Sequence, residues 1–310
     1  MTVVRIATRG SDLALVQANY IAGRIQAELG LQTELVIVKT TGDRIQNVSL
    51  AKIGGKGLFV KEIEEALLEE RADVAVHSAK DLPARLADEL TLVAFPQRQD
   101  PRDALVSRRP GACVDDLPMG ARIGTGSARR SAQLLALRPD LEVVPLRGNV
   151  PTRIRKLESD RLDAVLLACA GLDRLGRELE ISERISPDVL LPAVCQGTLA
   201  LEARLADPLL AKLGSLNDPA VSVAASAERA FLIRLEGDCS VPMAVHAEWQ
   251  GPGLLRVRGL VASHDGSGMA RCEVTGPAGD ASELGAQVAD GVLAEGGQEI
   301  LQALPERDDA

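Results

Sequence analysis

The sequence predicts an α/β protein, with two α/β units followed by a small α+β domain. Three observations carry this prediction. Short apolar runs alternate with amphipathic stretches through residues 1–200, the rhythm of βαβ units with largely parallel strands. Proline-rich breakers interrupt that rhythm near residues 96–101 and again near 187–192. Beyond residue 220 the pattern changes to a helix, β-like runs separated by Gly and Pro, and a closing helix.

Each element follows from its period. Residues 3–7, 35–38, 74–77 and 92–94 are short apolar runs and predict buried strands. Residues 13–29 and 59–69 show helical spacing between them. A second series repeats the rhythm, with strands at 121–124, 143–146 and 164–168 and helices at 129–137 and 152–157. The final region predicts a helix over 221–235, strands over 243–248, 254–262 and 269–274, and one helix over 282–304.

Composition excludes several classes. Aromatic residues make up 2% of the chain, too few for the stacking platforms of a single-stranded nucleic-acid binder. The net charge is -9, which disfavours a general polyanion binder. The charge is uneven: from Val241 onward 4 Arg face 11 acidic residues, a net of -7, while residues 1–240 carry 31 basic against 33 acidic residues. Five scattered cysteines without a CxxC pair predict neither a disulfide framework nor a zinc site. No secretory leader or membrane-length apolar run is recognisable, so a cytoplasmic protein with no membrane or nucleic-acid partner is expected.

Three places share one arrangement, in which a strand ends, a tight turn follows, and a helix opens beside arginine. They are Arg9-Gly10-Ser11-Asp12, Thr125-Gly126-Ser127-Ala128-Arg129-Arg130, and Arg147-Gly148-Asn149-Val150-Pro151-Thr152-Arg153. Helix N-termini offer unsatisfied N–H groups to anions, and arginine adds a fork suited to carboxylate or phosphate. The alternative for each arginine is a solvated surface role. Gly124-Thr125-Gly126 lacks the third glycine of a dinucleotide fingerprint. Lys52-Ile53-Gly54-Gly55-Lys56-Gly57 is not a phosphate loop of the Walker type; it reads as a loop closing over an anion or as a plain connector.

His77-Ser78-Ala79-Lys80-Asp81-Leu82-Pro83 continues a buried strand into a polar stretch. Asp81 reads first as an ion-pair partner of Lys80 or a nearby arginine. Otherwise it is an acid/base, or a holder of developing positive charge. His77 reads as a satisfied core histidine. Cys239 lies in a loop after a helix, where a thiol can be a nucleophile or an attachment point, or inert. Cys113, Cys169, Cys195 and Cys272 read as inert.

Several motifs occur together and in order. These are Ala51-Lys52-Ile53-Gly54-Gly55-Lys56-Gly57-Leu58-Phe59, His77-Ser78-x-Lys80-Asp81-x-Pro83, Asp100-Pro101-Arg102-Asp103-Ala104, Leu146-Arg147-Gly148-Asn149 and Leu235-Glu236-Gly237-x-Cys239-x-Val241-Pro242. The set resembles the porphobilinogen deaminase (hydroxymethylbilane synthase) family. The resemblance implies two α/β domains like periplasmic binding proteins and a small C-terminal α+β domain. Their expected bounds are 1–96 with 197–214, then 101–190, then 219–310. It implies a dipyrromethane cofactor held by a thioether to Cys239, and a transferase, expected as a monomer, of porphyrin and haem biosynthesis. That enzyme joins four porphobilinogen molecules to the primer and releases hydroxymethylbilane and ammonia.

By the same resemblance Asp81 is the catalytic carboxylate. Lys80, Asp81, Thr125, Ser127, Arg129, Arg130, Arg147 and Gly148 would bind the cofactor. Arg9, Ser11, Arg147, Arg153 and Gln196 would bind substrate, and Lys52 and Lys56 would belong to a loop over the site. No metal is implied. The chain departs from the family pattern at Thr41, Gly126, Ala128, Cys195 and Asp238. The competing expectation is a two-lobed carboxylate- or anion-binding protein without catalysis.

Overall fold

The computed structural model describes residues 3–44, 60–236 and 241–304. The described residues form two compact units: 3–44, 60–99 and 197–222 belong to one, and 100–196, 223–236 and 241–304 to the other.

The first unit holds a five-stranded sheet in the order β2-β1-β3-β10-β4. Strand β1 (Val3–Arg9) pairs in parallel with β2 (Gln32–Val38) and with β3 (Val74–Ser78). Strand β10 (Leu199–Arg204) lies antiparallel between β3 and β4 (Leu90–Ala94). Helix α1 (Asp12–Leu29) buries Ala18, Ile21 and Ile25 against Val4, Ile6, Val74 and Val76. A single helical turn, α2 (Thr41–Arg44), follows β2. Helix α3 (Lys61–Leu68) buries Ile63, Ala66 and Leu67 on the other face, against Ala7, Val38 and Ala75. Alternate residues of a strand face opposite sides, so β3 is buried on both faces.

The second unit repeats the plan in the order β7-β6-β8-β5-β9. Strand β6 (Arg122–Thr125) is parallel to β7 (Glu142–Pro145) and β8 (Ala164–Ala168). Strand β5 (Asp103–Ser107) is antiparallel to β8 and to β9 (Glu183–Ile185). Helices α4 (Ala128–Leu137), α5 (Val150–Ser159) and α6 (Cys169–Arg174) follow the three parallel strands in turn: α4 after β6, α5 after β7 and α6 after β8. Four of the five strands in each sheet therefore run in one direction, largely parallel as expected, and one strand runs against them. The antiparallel strand comes from the chain's entry in one sheet (β5) and from its return in the other (β10). Local periodicity carries no information about either pairing.

A short helix, α7 (Leu210–Gly214), precedes α8 (Pro219–Arg234). An antiparallel three-stranded sheet follows, β11 (Met243–Gly251), β12 (Leu254–Ala262) and β13 (Met269–Pro277). The expected closing helix is broken. Helix α9 (Ala281–Val292) gives way to an irregular turn with Gly296 at φ +95°, and α10 (Gln298–Ala303) resumes beyond it. Glycine tolerates that left-handed backbone where other residues are strained.

Two glycines let these helices pack closely. A Cβ on Gly259 of β12 would lie 2.5 Å from the Phe231 ring and 2.6 Å from Val288. A Cβ on Gly285 of α9 would overlap the carbonyl oxygen of Ala227 in α8. At an exposed helical glycine, alanine stabilises by up to about 1 kcal/mol. Gly285→Ala is expected to do the opposite, lowering the unfolding free energy by about 1–3 kcal/mol through overpacking. Urea unfolding of the two proteins checks the sign.

Candidate active site

In the first unit, β1 and β3 run parallel, so their C-terminal ends emerge at one sheet edge. Arg9 ends β1. Ser11 caps α1, its Oγ accepting a hydrogen bond from the Ala14 N–H at 3.4 Å. At the end of β3 the chain enters a 3-10 turn, Ala79–Asp81. The Ala79 N–H donates to the Thr198 carbonyl of the β10 segment at 3.0 Å. Asp81 is exposed and makes no hydrogen bond or ion pair with any described residue. The ion pair with Lys80 or an arginine, open from the sequence, does not form among the described residues. His77 is the satisfied core histidine expected, 2.9 Å from Glu202.

In the second unit Thr125 ends β6, and its Oγ1 accepts from the Ser127 N–H at 3.2 Å. Ser127 caps α4, accepting from the Arg130 N–H at 3.4 Å. Arg129 and Arg130 then turn inward, both nine-tenths or more buried. They share Asp103, the first residue of β5, at 2.7 Å each. Arg129 also donates to the Leu191 carbonyl at 2.7 Å, and Arg130 to the Leu166 carbonyl at 3.1 Å. The Gln196 amide donates to Asp103 at 3.0 Å and to the Pro101 carbonyl at 2.7 Å. Burial alone would push the Asp103 carboxyl up. The charges of Arg129 and Arg130, with hydrogen bonds from Arg129 and Gln196, outweigh it and hold that carboxyl well below the usual range. Two guanidiniums on one carboxylate leave a surplus positive charge beneath the N-terminus of α4. The Nε of Arg129 is buried and has no hydrogen-bond partner among the described residues.

The neighbouring turn packs directly on this one. The Leu146 N–H donates to the Thr125 carbonyl at 3.1 Å. A Cβ at position 126 would sit 2.5 Å from the Leu146 carbonyl oxygen, which accounts for Gly126. Arg147 follows β7 and is half-buried, with no hydrogen bond or ion pair to any described residue. Burial lowers its pKa from the usual arginine value. Gly148 takes φ +115°. Asn149 caps α5 through the Thr152 N–H at 3.0 Å, with Pro151 in the first turn. Arg153 folds back, its Nε donating to the Gly148 carbonyl at 2.7 Å.

The structure thus gathers Arg9, Ser11, Lys80 and Asp81 in one unit, and Thr125, Ser127, Arg129, Arg130, Arg147, Gly148, Arg153 and Gln196 in the other. Lys52, Lys56, Asp238 and Cys239 lie outside the described residues. Asp103, the counter-ion of the arginine pair, was not singled out from the sequence as a site residue. Its one signal is an acid opening an otherwise apolar run. Cys195 takes a left-handed backbone, φ +53°, and its N–H donates to buried Glu228 at 2.5 Å. That conformation suits glycine, so the departure there is a cysteine held in a glycine's place. Among the described residues no cluster of His, Cys, Asp and Glu could hold a metal ion, and no helix is long and apolar enough to cross a membrane.

Comparison with known proteins identifies relatives along the chain. Residues 4–212 match the family model "Porphobilinogen deaminase, dipyromethane cofactor binding domain", and residues 223–294 match "Porphobilinogen deaminase, C-terminal domain". The chain is 48% identical over 307 residues to porphobilinogen deaminase of Pelobacter propionicus, covering 98% of each chain. It is 50% identical over 305 residues to that of Syntrophus aciditrophicus, covering 97% of this chain and 98% of the relative. Among solved structures, a periplasmic substrate-binding protein of an ABC transporter from Coxiella burnetii aligns with a TM-score of 0.42 and 16% identity, over 73% of this chain and 96% of that one.

Asp103→Asn leaves both buried arginines without their carboxylate. The expected loss is about 3–5 kcal/mol of unfolding free energy, as for a broken buried ion pair. A carboxyl depressed in the folded state contributes its stability above its unfolded pKa, about 3.9. The difference between the two proteins should therefore be full at neutral pH and shrink as pH falls below about 4. Urea titrations at a series of pH values measure it.

Proposed function

The chain belongs to the porphobilinogen deaminase family, and from that premise we propose how its own residues carry out the reaction. The protein is a transferase of tetrapyrrole biosynthesis, acting on porphobilinogen with a dipyrromethane cofactor. Four substrate molecules add in turn to the primer, each losing ammonia, and the product is hydroxymethylbilane.

The residues described fit a cofactor and a growing chain rich in carboxylates. Arg147 is half-buried and without a counter-ion among the described residues. The Arg129–Arg130–Asp103 cluster carries one positive charge more than it neutralises. When bound, the cofactor supplies the free pyrrole carbon from which the chain grows. Cys239 would hold it as a thioether. Arg147 would bind its carboxylates directly. Arg129 and Arg130 would act through their surplus charge, at a helix N-terminus that Thr125 and Ser127 shape. Gly148 would lie on the neighbouring turn, where its φ of +115° and the Thr152 side chain leave no place for a Cβ. Arg9, Ser11 and Arg153 would take substrate carboxylates, Gln196 would act through its bonds to Asp103 and the Pro101 carbonyl, Lys80 would assist at the cofactor, and Lys52 and Lys56 would lie on a covering loop. Each charge-assisted hydrogen bond contributes about 1.5–3 kcal/mol.

The observation that carries the catalytic assignment is Asp81, an exposed carboxylate with no partner among the described residues. A pure carboxylate receptor gains nothing from such a group, which repels its ligand. It becomes useful where positive charge develops, on a pyrrole nitrogen as ammonia leaves and the new bond forms. Asp81 would accept hydrogen bonds from pyrrole N–H groups and stabilise that charge. The same reading divides the chain into domains at 1–96 with 197–214, 101–190 and 219–310. It takes the protein as a cytoplasmic monomer without nucleic-acid partners, supported by a net charge of -9 and by free thiols at Cys113, Cys169, Cys195 and Cys272.

Denatured intact mass with peptide mapping tests the reading. The peptide containing Cys239 is expected to carry the mass of two linked pyrrole units. An unmodified peptide, even after incubation with porphobilinogen, would overturn the assignment. Asp81→Asn should fold and load the cofactor yet lose at least about 100-fold in kcat, the scale of one lost electrostatic stabiliser. Turnover at the wild-type rate would remove Asp81 from the mechanism.

A further inference from the structure

We propose that His77 and Glu202 are positioning residues for Asp81, forming with Gln17 and Ser78 a two-sided clamp on the end of β3. This rests on the role given to Asp81 above. Along β3, Val74 and Val76 face α1, and Ala75 faces α3. The last two residues keep the alternation but exchange apolar contact for directional bonds. Ser78 meets Gln17 of α1, whose Nε2 donates to its Oγ at 3.0 Å. His77, on the opposite face, lies with Nε2 2.9 Å from Oε2 of Glu202. Their side chains are 4% and 0% exposed. The pair is diagonal across β3 and β10, since Glu202 sits opposite Ala75 and Ala200 opposite His77.

The fold does not require this pair. The surrounding positions are alanine, valine and leucine, and burying charged groups costs several kcal/mol each unless they are well paired. The pairing here is partial. The second oxygen of Glu202 is buried and has no partner among the described residues, and Glu64 of α3 adds negative charge nearby. What the pair adds over apolar packing is direction. A hydrogen bond on each face fixes the twist and lateral position of the strand end. The Ala79 N–H bond to Thr198 fixes its height. Asp81 follows within one 3-10 turn and has no side-chain bond to any described residue, so among these its position is inherited from Ser78 and the backbone before it.

The test uses holoenzyme, with cofactor occupancy taken from denatured mass and kcat expressed per loaded site. His77→Leu/Glu202→Leu replaces the pair with apolar groups. It should load cofactor and unfold at or above the wild-type temperature, as apolar replacements of buried ion pairs commonly do. Its kcat should fall about 10- to 100-fold with KM unchanged, the scale of a small misplacement of a catalytic group. His77→Gln, whose amide nitrogen can still donate to Glu202, should recover most of that rate. A purely structural role predicts altered unfolding with wild-type kcat, and that result overturns the proposal. If the apolar pair does not yield loaded enzyme, Ser78→Ala decides from the other face: lowered kcat at unchanged KM supports the clamp, and wild-type kcat removes it. Asp81→Asn is measured alongside. Wild-type turnover there would defeat the role of Asp81 itself, whereas an inactive Asp81→Asn beside a fully active apolar pair would defeat only the clamp.

Discussion

One buried carboxylate shared between two guanidiniums organises the second unit. Asp103 opens β5, Arg129 and Arg130 open α4, and Gln196 reaches the same carboxylate from far along the chain. Desolvating three charged groups is expensive. Asp103 offsets the cost by accepting from both arginines and an amide, but it cannot neutralise both cations. The surplus charge lies under a helix N-terminus that is itself partly positive. The turn with Arg147, which has no partner among the described residues, packs on that helix start through Gly126. A core ion cluster thereby places unbalanced positive charge at a helix start, the feature on which the proposed carboxylate binding rests.

The first unit uses the same strand order with the opposite sign. Its sheet also buries a polar pair, His77 and Glu202, and beyond the strand end the exposed carboxylate of Asp81 has no partner among the described residues. Surplus positive charge suits ligands bearing acetate and propionate groups. An unpaired carboxylate suits a reaction in which a cation develops. A simple anion receptor needs the first and is harmed by the second, and the two charges together suit the transferase reading proposed above.

Much of this was legible in the sequence. Ser11, Ser127 and Asn149 each cap a helix where a strand–turn–helix pattern placed them, because capping is decided within three residues. The strands of the βαβ rhythm follow from apolar runs that need both faces buried. The departures also acquire reasons. Gly126 is where the Leu146 carbonyl leaves no space for a Cβ, and Cys195 occupies a left-handed backbone secured by Glu228. The one antiparallel strand in each sheet and the broken last helix were not foreseen. Periodicity marks a strand without choosing its neighbour or direction, and a helical period does not register a glycine that turns left-handed at its centre.

The sequence by itself determined what lies within a few residues: most of the elements, though not β5, β9, β10, α6 or α7, the arginines and acids at strand ends, and the ordered motifs that mark the family. Tertiary structure alone decided which charges are spent and which remain. Gln196 and Asp103 are 93 residues apart, and His77 and Glu202 are 125 apart. Such pairs exist only after β5 and β10 enter their sheets. Burial then removes water as the competing partner and makes each charge depend on whatever neighbour the fold supplies. Arg129 and Arg130 were legible as arginines beside a helix start, but their commitment to Asp103 was not. Nor was the freedom of Asp81, because an acid next to a lysine in sequence need not face it once a strand end and a 3-10 turn set their directions.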